Sequence, residues 1–574
     1  MHKTSDVYDL ESVELPYLAG RTLRLFTALL EGPFGGLMMG SLLKTGGLTW
    51  FRQQRFDGPP TLKPLHLTRA PSAETPTMDP AAWPAPASST AEGLPFRTVG
   101  DYAAAYRAGR VTPVEIAERV LTAVAESNAA SPPLRAIIAV DREDVVHQAE
   151  AATRRLEAGE PLSALDGVPV AIKDEFDMRP YPTTVGTAFL GTEPAAEDAT
   201  VVARMRDAGA LLIGKANMTE IGLGVSGLNL IHGTPRNPYA PDHYTGGSSS
   251  GPATAVAAGL CPIALGADGG GSIRIPASFC GLTGLKATYG RVSEHGAAPL
   301  TWSMGHIGPL AASATDTALA YAAIAGADPK DATSLLQPPP ALTGWNREDL
   351  SDLTLGIYPP WFEHAADGVV AACRAVVAAF EDRGAQVREV IIPGLEAARI
   401  AHTITITAEM SAALADVWKD HYSEHGLDVR VSMALAKTFL ASDYVQAQRV
   451  RTQLMAAFDD AFQDADVIVT PATAVTAPPI PDAALRGNES DLSTLIEIMR
   501  FATPANLTGL PAIAFPAGTT AEGLPIGCQA IGRAWEEPML LRLARVAEGI
   551  VKRQKPTWYY DLLTETSSAG DGVR

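Results

Sequence analysis

Two serines set among glycines are the first residues in the sequence whose surroundings suggest chemistry. Ser248 lies in the segment GGSSSG at 246–251, and Ser272 directly follows three glycines, 24 residues further along the chain. Because glycine has no side chain, the loop before Ser272 can turn several backbone N–H groups toward one point and form an oxyanion hole. A serine hydroxyl beside such a hole would suit acyl transfer. Taken alone, such a block is more often a tight turn without a chemical role.

A serine nucleophile needs a base, and Lys173 is the titratable residue whose predicted position suits that role. It ends the apolar run VPVAIK at 168–173, which predicts a buried strand. Lysine has an ordinary pKa of about 10.4, so it acts as a base near neutral pH only where burial or a neighbouring positive charge favours the neutral amine. A lysine at the end of a strand is otherwise a solvated surface charge, and its position alone does not decide between the two roles.

Two further glycine motifs match known kinds of site, but their surroundings disagree with both. The segment GLGVSG at 222–227 matches G-x-G-x-x-G, yet a loop sequence follows it in place of the helix N-terminus that a dinucleotide pyrophosphate needs. The segment 247–251 matches G-x-S-x-G, with Ser249 as the nucleophile of an α/β-hydrolase. That motif requires a strand directly before it, and 237–244 predicts a loop. Neither a nucleotide site nor a nucleophile elbow is favoured.

The elements that must position these residues alternate between strands and helices. A helix begins at Thr112, where an N-cap threonine, a first-turn proline and a capping-box glutamate lie in succession. The alternation of β-type and helical runs predicts an α/β sheet with helices on both faces. The runs place strands at 168–173, 210–213, 263–265, 354–357, 467–469 and 513–515, helices at 199–208 and 252–258, and a mostly helical insertion at 396–464.

The first 95 residues have a different pattern. Apolar positions within 17–53 predict two short amphipathic helices broken at Pro33, and the many prolines of 57–95 predict an extended connector. The helices could cap the core, or they could line an acyl-chain tunnel or dip into a membrane interface. The uncharged stretch 32–43 has 12 residues, and spanning a bilayer takes about 20. In the tunnel interpretation, the mouth would be formed by Leu25, Phe26, Leu29, Leu30 and Met38.

The composition excludes several classes of function. The 574 residues include 45 Lys and Arg against 64 Asp and Glu, and the net charge of -19 opposes binding to nucleic acid. The 4 cysteines form no C-x-x-C pair and the 11 histidines no H-E-x-x-H motif, so no metal and no other cofactor is expected. Free cysteines, and an N-terminus without the order of a signal peptide, predict a cytoplasmic protein.

Five segments together resemble the amidase signature family. They are GVPVAIKD at 167–174, GALLIGKANM at 209–218, GGSSSG at 246–251, DGGGSIR at 268–274 and CGLTGLKATYGR at 280–291. The resemblance implies an α/β fold around a mixed central sheet and a Ser–cisSer–Lys triad. Ser272 would be the nucleophile, Ser248 the bridging serine after a non-proline cis peptide, and Lys173 the base. The implied backbone donors of the oxyanion hole are Gly269, Gly270, Gly271 and Ser272, and Arg274 is expected to hold their loop through hydrogen bonds.

A narrower resemblance covers nearly the whole chain. The segments PYLAGRTLRLFTALLEGP at 16–33, ASDYVQAQRVRTQLM at 441–455, DVIVTPATAVTAPPIP at 466–481 and YYDLL at 559–563 resemble plant-type fatty acid amide hydrolases. This subgroup cleaves N-acylethanolamines and related amides and lacks a membrane-spanning helix. The resemblance implies a small-molecule acyl amide substrate and a homodimer, and the amphipathic pattern of the N-terminal helices adds peripheral membrane contact as an expectation.

These inferences divide the chain into four segments and leave the substrate open. We expect an N-terminal helical extension at 1–56, the connector at 57–95, a catalytic domain at 96–563 and a tail at 564–574. Within the same family, the alternatives are hydrolysis of arylamides, carbamates or short-chain amides, or the glutaminase subunit of a tRNA-dependent amidotransferase, which the negative charge opposes. A lipid-binding protein without activity is a further alternative, although all three triad positions are occupied.

Overall fold

The computed structural model describes residues 7–33, 35–66 and 78–564. Within them lie a large sheet and one short pair of strands. The strands are β1 (Leu18–Ala19), β2 (Ile137–Ala139), β3 (Pro169–Lys173), β4 (Leu211–Ala216), β5 (Ile263–Ala267), β6 (Thr283–Lys286), β7 (Ile307–Ala311), β8 (Thr354–Ile357), β9 (Gln386–Glu389), β10 (Val467–Pro471), β11 (Glu489–Ser490), β12 (Ala512–Thr519) and β13 (Pro525–Gly532).

Helices occupy most of the remaining described chain. They are α1 (Gly20–Leu30), α2 (Gly35–Thr45), α3 (Leu48–Phe51), α4 (Ser89–Glu92), α5 (Val99–Arg107), α6 (Pro113–Ala129), α7 (Arg142–Ala158), α8 (Thr200–Asp207), α9 (Ser250–Ala257), α10 (Arg274–Phe279), α11 (Ala314–Ile324), α12 (Pro359–Phe362), α13 (Asp367–Glu381), α14 (Leu395–Ala413), α15 (Ala415–His421), α16 (Leu427–Ala436), α17 (Ala441–Asp464), α18 (Asp482–Gly487), α19 (Leu492–Met499), α20 (Thr503–Thr508) and α21 (Glu537–Glu548). The helix α6 has the predicted N-cap, since the Thr112 hydroxyl accepts a hydrogen bond from the Glu115 N–H.

The large sheet is mixed. Its 11 described strands have the order β2-β4-β3-β5-β7-β6-β12-β13-β10-β8-β9. The pairs β3–β4, β3–β5, β8–β10 and β8–β9 are parallel, and the other neighbours are antiparallel. All six strands predicted from the sequence belong to this sheet, and the mixed α/β fold implied by the family resemblance is confirmed.

Helices cover both faces of the sheet. Successive side chains of a strand point to opposite faces, and in β10 the side chains of Val467 and Val469 join one apolar core while Ile468 joins another. The first core contains residues of α11, α13 and α21, and the second contains residues of α14 and α17. A strand that is buried on both faces needs no polar alternation, which explains the continuous apolar runs of the sequence.

The parallel arrangement of β3, β4 and β5 explains where the candidate site lies. Because parallel strands end at the same edge of a sheet, Lys173 at the end of β3 lies near the loop that follows β5. Helix α9 connects β4 back to β5, so its first turn must start from that edge. The sequence segments around Lys173, Ser248 and Ser272 are therefore brought to one edge by the topology.

The N-terminal region packs on the helical insertion. Helices α1 and α2 flank Pro33 at the positions that the apolar spacing predicts, and α1 contacts α16. The predicted connector contains a 3₁₀ turn, Pro80–Ala82, and the short helix α4, so it is not extended throughout; 67–77 lies outside the described residues, as does the predicted tail beyond residue 564. No described helix is long and apolar enough by itself to cross a membrane; α1 and α2 pass that test only as a pair, and they are bent by 111°.

Candidate active site

Lys173 and Ser248 are in direct contact at the edge where β3, β4 and β5 end. The Lys173 side chain is 1% exposed, and its Nζ donates a hydrogen bond to Ser248 Oγ over 2.9 Å. Ser248 follows a cis peptide bond with Gly247 and lies two residues before α9. Its carbonyl oxygen accepts a hydrogen bond from the Thr219 N–H over 3.1 Å. The structure therefore joins the expected base to the expected bridging serine.

Ser272 lies in the loop between β5 and α10 and lines the same cavity as Lys173 and Ser248. The residue is 6% exposed. The Ser249 N–H donates a hydrogen bond to the Ser272 carbonyl oxygen over 3.3 Å, which ties the two glycine-rich loops together. All three residues of the expected triad thus border one cavity.

The carboxylate of Asp268 organises the loop that carries Ser272. It accepts hydrogen bonds from the Gly271 N–H over 2.7 Å and from the Ile273 N–H over 3.1 Å, and the Arg274 guanidinium binds it over 3.0 and 3.1 Å. Burial raises the pKa of Asp268, but the charge and hydrogen bonds of Arg274 outweigh this effect and hold that pKa well below its ordinary value. The carboxylate therefore stays ionised and keeps the loop closed.

Arg274 extends this network into the core. The side chain is 0% exposed, and its Nη1 donates to the Ala502 carbonyl over 3.0 Å and to Gln529 Oε1 over 2.6 Å. Its Nη2 donates to Asn506 Oδ1 over 2.6 Å. Arg274 thus holds the loop through hydrogen bonds, as we expected, and does so from beneath the cavity, since it is absent from the lining.

The structure corrects the expected set of oxyanion donors in one respect. The Gly271 N–H donates to Asp268, and Gly271 does not line the cavity, whereas Gly269, Gly270 and Ser272 do. The tight turn that brings Gly271 back to Asp268 has a positive φ of 115° at Gly271, a backbone conformation that favours glycine. The third glycine therefore closes the turn, and the backbone donors that can face a substrate belong to the other three residues.

Two side chains fix the peptide planes of these donors. Asn506 Nδ2 donates to the Asp268 carbonyl over 2.9 Å, and His402 Nε2 lies 2.9 Å from the Gly269 carbonyl oxygen. In a trans peptide the N–H points opposite to the carbonyl, so the N–H groups of Gly269 and Gly270 are directed away from these partners. Burial lowers the pKa of His402 to about 4, so the imidazole is neutral near pH 7 and must carry its hydrogen on Nε2.

Two buried lysines lie at the ends of neighbouring strands, and their contacts differ. Lys215 of β4 donates to the Phe176 carbonyl over 2.6 Å and lies 3.4 Å from the Asp174 carboxylate, and burial lowers its pKa. Lys173 of β3 instead contacts Ser248, and its Nζ also lies 2.5 Å from Glu175 Oε2. Lys173 is therefore the lysine positioned to exchange a proton with a serine.

The cavity beside these groups has a volume of about 630 Å³. Apolar side chains from the N-terminal helices and the helical insertion form much of its wall, among them Leu42, Leu43, Ile404, Ile406, Leu435 and Phe439. None of the five side chains expected at the mouth lines it. Leu25 and Leu29 are exposed, and Phe26, Leu30 and Met38 pack in an apolar cluster that borders the cavity only through other members, among them Leu42, Leu43 and Leu435. That expectation was wrong because α1 packs through this cluster on α16, whereas the end of α2 borders the cavity.

A comparison with protein families identifies the chain. The Amidase family model matches residues 118–541, which is well over half of the sequence and includes Lys173, Ser248 and Ser272. The chain belongs to the amidase signature family. It is therefore an amide hydrolase.

Similar amidases from plants extend over nearly the entire chain. A fatty acid amide hydrolase of Medicago truncatula is 40% identical over 97% of this chain and 96% of its own length, and one of Arabidopsis thaliana gives the same values. One subunit of the glutamyl-tRNA(Gln) amidotransferase of Chloroflexus aggregans is 37% identical over 78% of this chain and 95% of its own length. The plant relatives therefore match a larger share of this amidase.

Solved structures of other amidases have the same fold. One, from a vestigial protein complex that reveals the evolutionary origins of an s-triazine catabolic enzyme, has a TM-score of 0.72 and 30% identity, over 78% of this chain and 98% of that chain. The native peptide amidase from Stenotrophomonas maltophilia has a TM-score of 0.69 and 28% identity, over 80% and 98% of the two chains. The mixed sheet of this amidase is thus the family fold.

Three residues of the site carried no signal in the sequence. Glu175 lies two positions beyond Lys173, after the end of a strand, where a carboxylate on the surface is common. His402 and Asn506 come from helices far along the chain. His402 is 133 residues from its partner Gly269, and Asn506 is 238 residues from Asp268. Since these contacts depend on how α14 and α20 pack, periodicity and motif spacing could not have predicted them.

Proposed function

We propose that this amidase hydrolyses N-acyl amides with long acyl chains, such as N-acylethanolamines, to a fatty acid and an amine. The observation that carries the proposal is a single cavity bordered both by Lys173, Ser248 and Ser272 and by apolar side chains of the N-terminal extension. The plant relatives named as fatty acid amide hydrolases support the same substrate class.

The shape and chemistry of the cavity suit an acyl chain. Its volume of about 630 Å³ lies within the range of roughly 300–1,000 Å³ typical of small-molecule sites. Leu42 and Leu43 of α2 and Phe439 after α16 offer apolar surface that a polar substrate would not use. Each methylene removed from water contributes about 0.8 kcal/mol of binding, so a long chain gains affinity from this wall.

In the proposed reaction, Ser272 is the nucleophile. Neutral Lys173 accepts the proton of Ser248 while Ser248 accepts the proton of Ser272, and Ser272 Oγ attacks the amide carbonyl carbon. The carbonyl π electrons move to the oxygen, where the N–H groups of Gly269, Gly270 and Ser272 stabilise the negative charge. One such donor is worth about 3 to 4 kcal/mol in other acyl-transfer enzymes.

The same groups then act in reverse. The Lys173 ammonium returns its proton through Ser248 to the leaving nitrogen, because an amide anion is too basic to leave unprotonated. The C–N bond breaks and the acyl group stays on Ser272. Water attacks this ester with Lys173 and Ser248 again removing a proton, which releases the carboxylic acid and restores the serine.

A series of N-acylethanolamines with two to sixteen acyl carbons tests the proposal. Values of kcat/KM should rise with chain length by about threefold to fourfold per buried methylene. A flat or falling series would reject the acyl-chain assignment. Parallel assays with an arylamide, a carbamate and glutamine test the other substrate classes of the family. Covalent labelling by a fluorophosphonate probe would exclude the alternative of a lipid-binding protein without activity.

We further propose that the protein is cytoplasmic and that it touches membranes through its N-terminal helices. Leu25 and Leu29 lie one turn apart on α1 and are 62% and 40% exposed, and Leu37 of α2 is 82% exposed. Exposed leucines beside the exposed cationic side chains of Arg21 and Arg24 suit a lipid interface. Co-sedimentation with phosphatidylcholine vesicles should fall when Leu25 and Leu37 are both replaced by serine, and undiminished binding would contradict the contact.

The homodimer implied by the family resemblance is a separate proposal. Multi-angle light scattering of the purified protein should give twice the mass of 60.2 kDa. A monomer at micromolar concentration would overturn it. Repeating the measurement with the Leu25 and Leu37 variant shows whether the exposed leucines serve the dimer instead of a membrane.

A further inference from the structure

We propose that Glu175 is a positioning residue that orients Lys173 and stabilises its protonated form during catalysis. Glu175 Oε2 lies 2.5 Å from Lys173 Nζ, and the two side chains are 11% and 1% exposed. The inference rests on the proposed role of Lys173 as the base. It adds a fourth member to the group formed by Ser272, Ser248 and Lys173.

The backbone holds Glu175 against the lysine. Glu175 lies just beyond the end of β3, and its carbonyl oxygen accepts a hydrogen bond from the Ala298 N–H over 2.9 Å. The neighbouring Phe176 N–H donates to the Lys173 carbonyl over 3.2 Å, which closes the turn. Glu175 Oε2 is buried and has no hydrogen-bond partner among the described residues, so its 2.5 Å contact with Lys173 Nζ is an ion pair and not a hydrogen bond. The charge of Lys173 is thus what this carboxylate oxygen contacts.

The proton transfers of the proposed reaction explain how the Glu175 carboxylate assists catalysis. When Ser272 attacks, its proton moves to Ser248 and the Ser248 proton moves to Lys173, so an ammonium forms in a buried site. Burial disfavours that charge, and a carboxylate at contact distance favours it. Glu175 would act on Lys173 as the aspartate of a Ser–His–Asp triad acts on its histidine, by orienting the base and stabilising its conjugate acid.

The same carboxylate also makes the neutral amine harder to form. Because the Glu175 carboxylate favours the Lys173 ammonium, it moves the acidic limb of the plot of kcat/KM against pH to higher pH. Other ionisable groups lie around the pair: Asp174 is bound to Lys215, and Glu294 lines the same cavity. Burial raises the pKa of the Glu294 carboxyl well above its ordinary value. Glu175 is the carboxylate that lies in contact with the lysine nitrogen, at 2.5 Å.

The experiment compares the pH dependence of kcat/KM between pH 5 and 10 in matched variants. Glu175→Gln keeps the shape and removes the charge, and Glu175→Asp keeps the charge at a slightly greater distance. Glu118→Gln is the control, because Glu118 forms an exposed ion pair with Arg142 and its loss should leave the profile unchanged. Thermal melting of each variant establishes that it is folded.

In Glu175→Gln, the midpoint of the acidic limb should fall by about 1 to 3 pH units, as expected for loss of an opposite charge at this distance. The plateau at high pH should fall by roughly 3- to 30-fold, because a weaker base accepts the proton less readily. The difference in kcat/KM between the wild type and Glu175→Gln should therefore become smaller as the pH falls. Glu175→Asp should recover most of the wild-type plateau. A merely structural role would lower activity by one factor at every pH, and that result, or an unchanged midpoint, would overturn the proposal.

Two measures keep the test independent of other failures. If Glu175→Gln does not fold, Glu175→Ala removes the same charge and should give the same downward shift of the midpoint. If the wild type does not cleave long-chain amides, the rate of labelling by a fluorophosphonate replaces turnover. That reaction forms a bond from Ser272 Oγ to phosphorus, expels fluoride and sends the serine proton to Lys173, so its pH profile reports the same pair. Labelling with an unshifted midpoint in both variants rejects the role of Glu175 whatever the substrate.

Discussion

His402 Nε2 and the carbonyl oxygen of Gly269 are 2.9 Å apart, and this contact ties helix α14 to the loop that carries Ser272. The histidine comes from the helical insertion, which also supplies part of the cavity wall through Ile404 and Ile406. One helix therefore both shapes the cavity and sets the orientation of the Gly269–Gly270 peptide. A substrate that displaces α14 would disturb the proposed oxyanion hole as well.

Removing this contact should slow the reaction more than it weakens binding. In His402→Ala the Gly269–Gly270 peptide loses its partner, so the Gly270 N–H is no longer held toward the oxyanion. We expect kcat to fall by about 10- to 100-fold, less than the loss of a whole donor, with KM changed by less than about threefold. His402→Gln, whose amide can donate to the same carbonyl, should retain most of kcat. Equal losses in both variants would contradict a positioning role.

The depressed pKa of His402 makes stability depend on pH. The unfolded chain binds a proton at this residue with a pKa near 6.5, whereas the folded protein does so only near 4. Between these values the unfolded state holds more protons, so this contribution to stability is complete above pH 6.5 and is lost as the pH falls toward 4. Urea unfolding at pH 7.5 and 4.5 should show a loss about 2 to 3 kcal/mol smaller in His402→Gln than in the wild type. Equal losses would show that another group governs the acid sensitivity.

Two glycines of the oxyanion loop should differ in their tolerance of alanine. A Cβ on Gly270 would lie 2.9 Å from His402 Cε1 and 2.9 Å from Met499 Cε, whereas one on Gly269 would lie 3.2 Å from Thr301 Cγ2. The imidazole cannot give way without losing its hydrogen bond. Gly270→Ala should therefore lower kcat by about tenfold or more, and Gly269→Ala by markedly less. Steady-state kinetics with one substrate decide, and a reversed order would contradict the described loop.

How far the sequence predicts the fold depends on the strand. The parallel strands β3 and β5 are apolar runs bounded by turn residues, and the sequence pattern places both within two residues of their observed ends. The same pattern does not predict the antiparallel strands β6, with the sequence TGLK, and β7, with IGPLA. Glycine and proline weaken their local β preference, and they are strands because β5 and β12 lie beside them.

The residues of the candidate site likewise divide into those that a local sequence pattern predicts and those that it does not. Ser248, Ser272 and Lys173 lie in segments that are locally unusual, since glycines surround the serines and a lysine ends an apolar run. The partners that fix their geometry have no such segments. His402 lies within a helix of ordinary composition, and Glu175 has the residue type of any polar loop. Tertiary packing decides what these side chains contact, and no local pattern records it.

The identity of the nucleophile can be tested by replacing Ser272 and Ser249, whose backbones are hydrogen-bonded to each other. Ser249 would be the nucleophile of an elbow motif, but its Oγ donates to the Ala267 carbonyl over 3.2 Å and the residue is fully buried. Ser272→Ala should abolish both turnover and covalent labelling by a fluorophosphonate, while Ser249→Ala should be labelled at a rate near that of the wild type. Intact-protein mass spectrometry reads the label directly. A label that persists in Ser272→Ala would place the nucleophile elsewhere.

The cavity wall on α2 provides the sharpest test of chain-length preference. Leu43 lines the cavity, so Leu43→Trp should occupy space that a long acyl chain needs and leave room for a short one. We expect kcat/KM for a sixteen-carbon amide to fall by about tenfold or more, which corresponds to the loss of roughly two buried methylenes, while the value for a four-carbon amide changes by less than about twofold. Leu37→Trp is the matched control, since Leu37 lies on the same helix but is 82% exposed and does not line the cavity. Equal losses for both chain lengths would mean that the substitution disturbs the Lys173–Ser248 edge itself, and the acyl chain would then have to lie along another part of the wall.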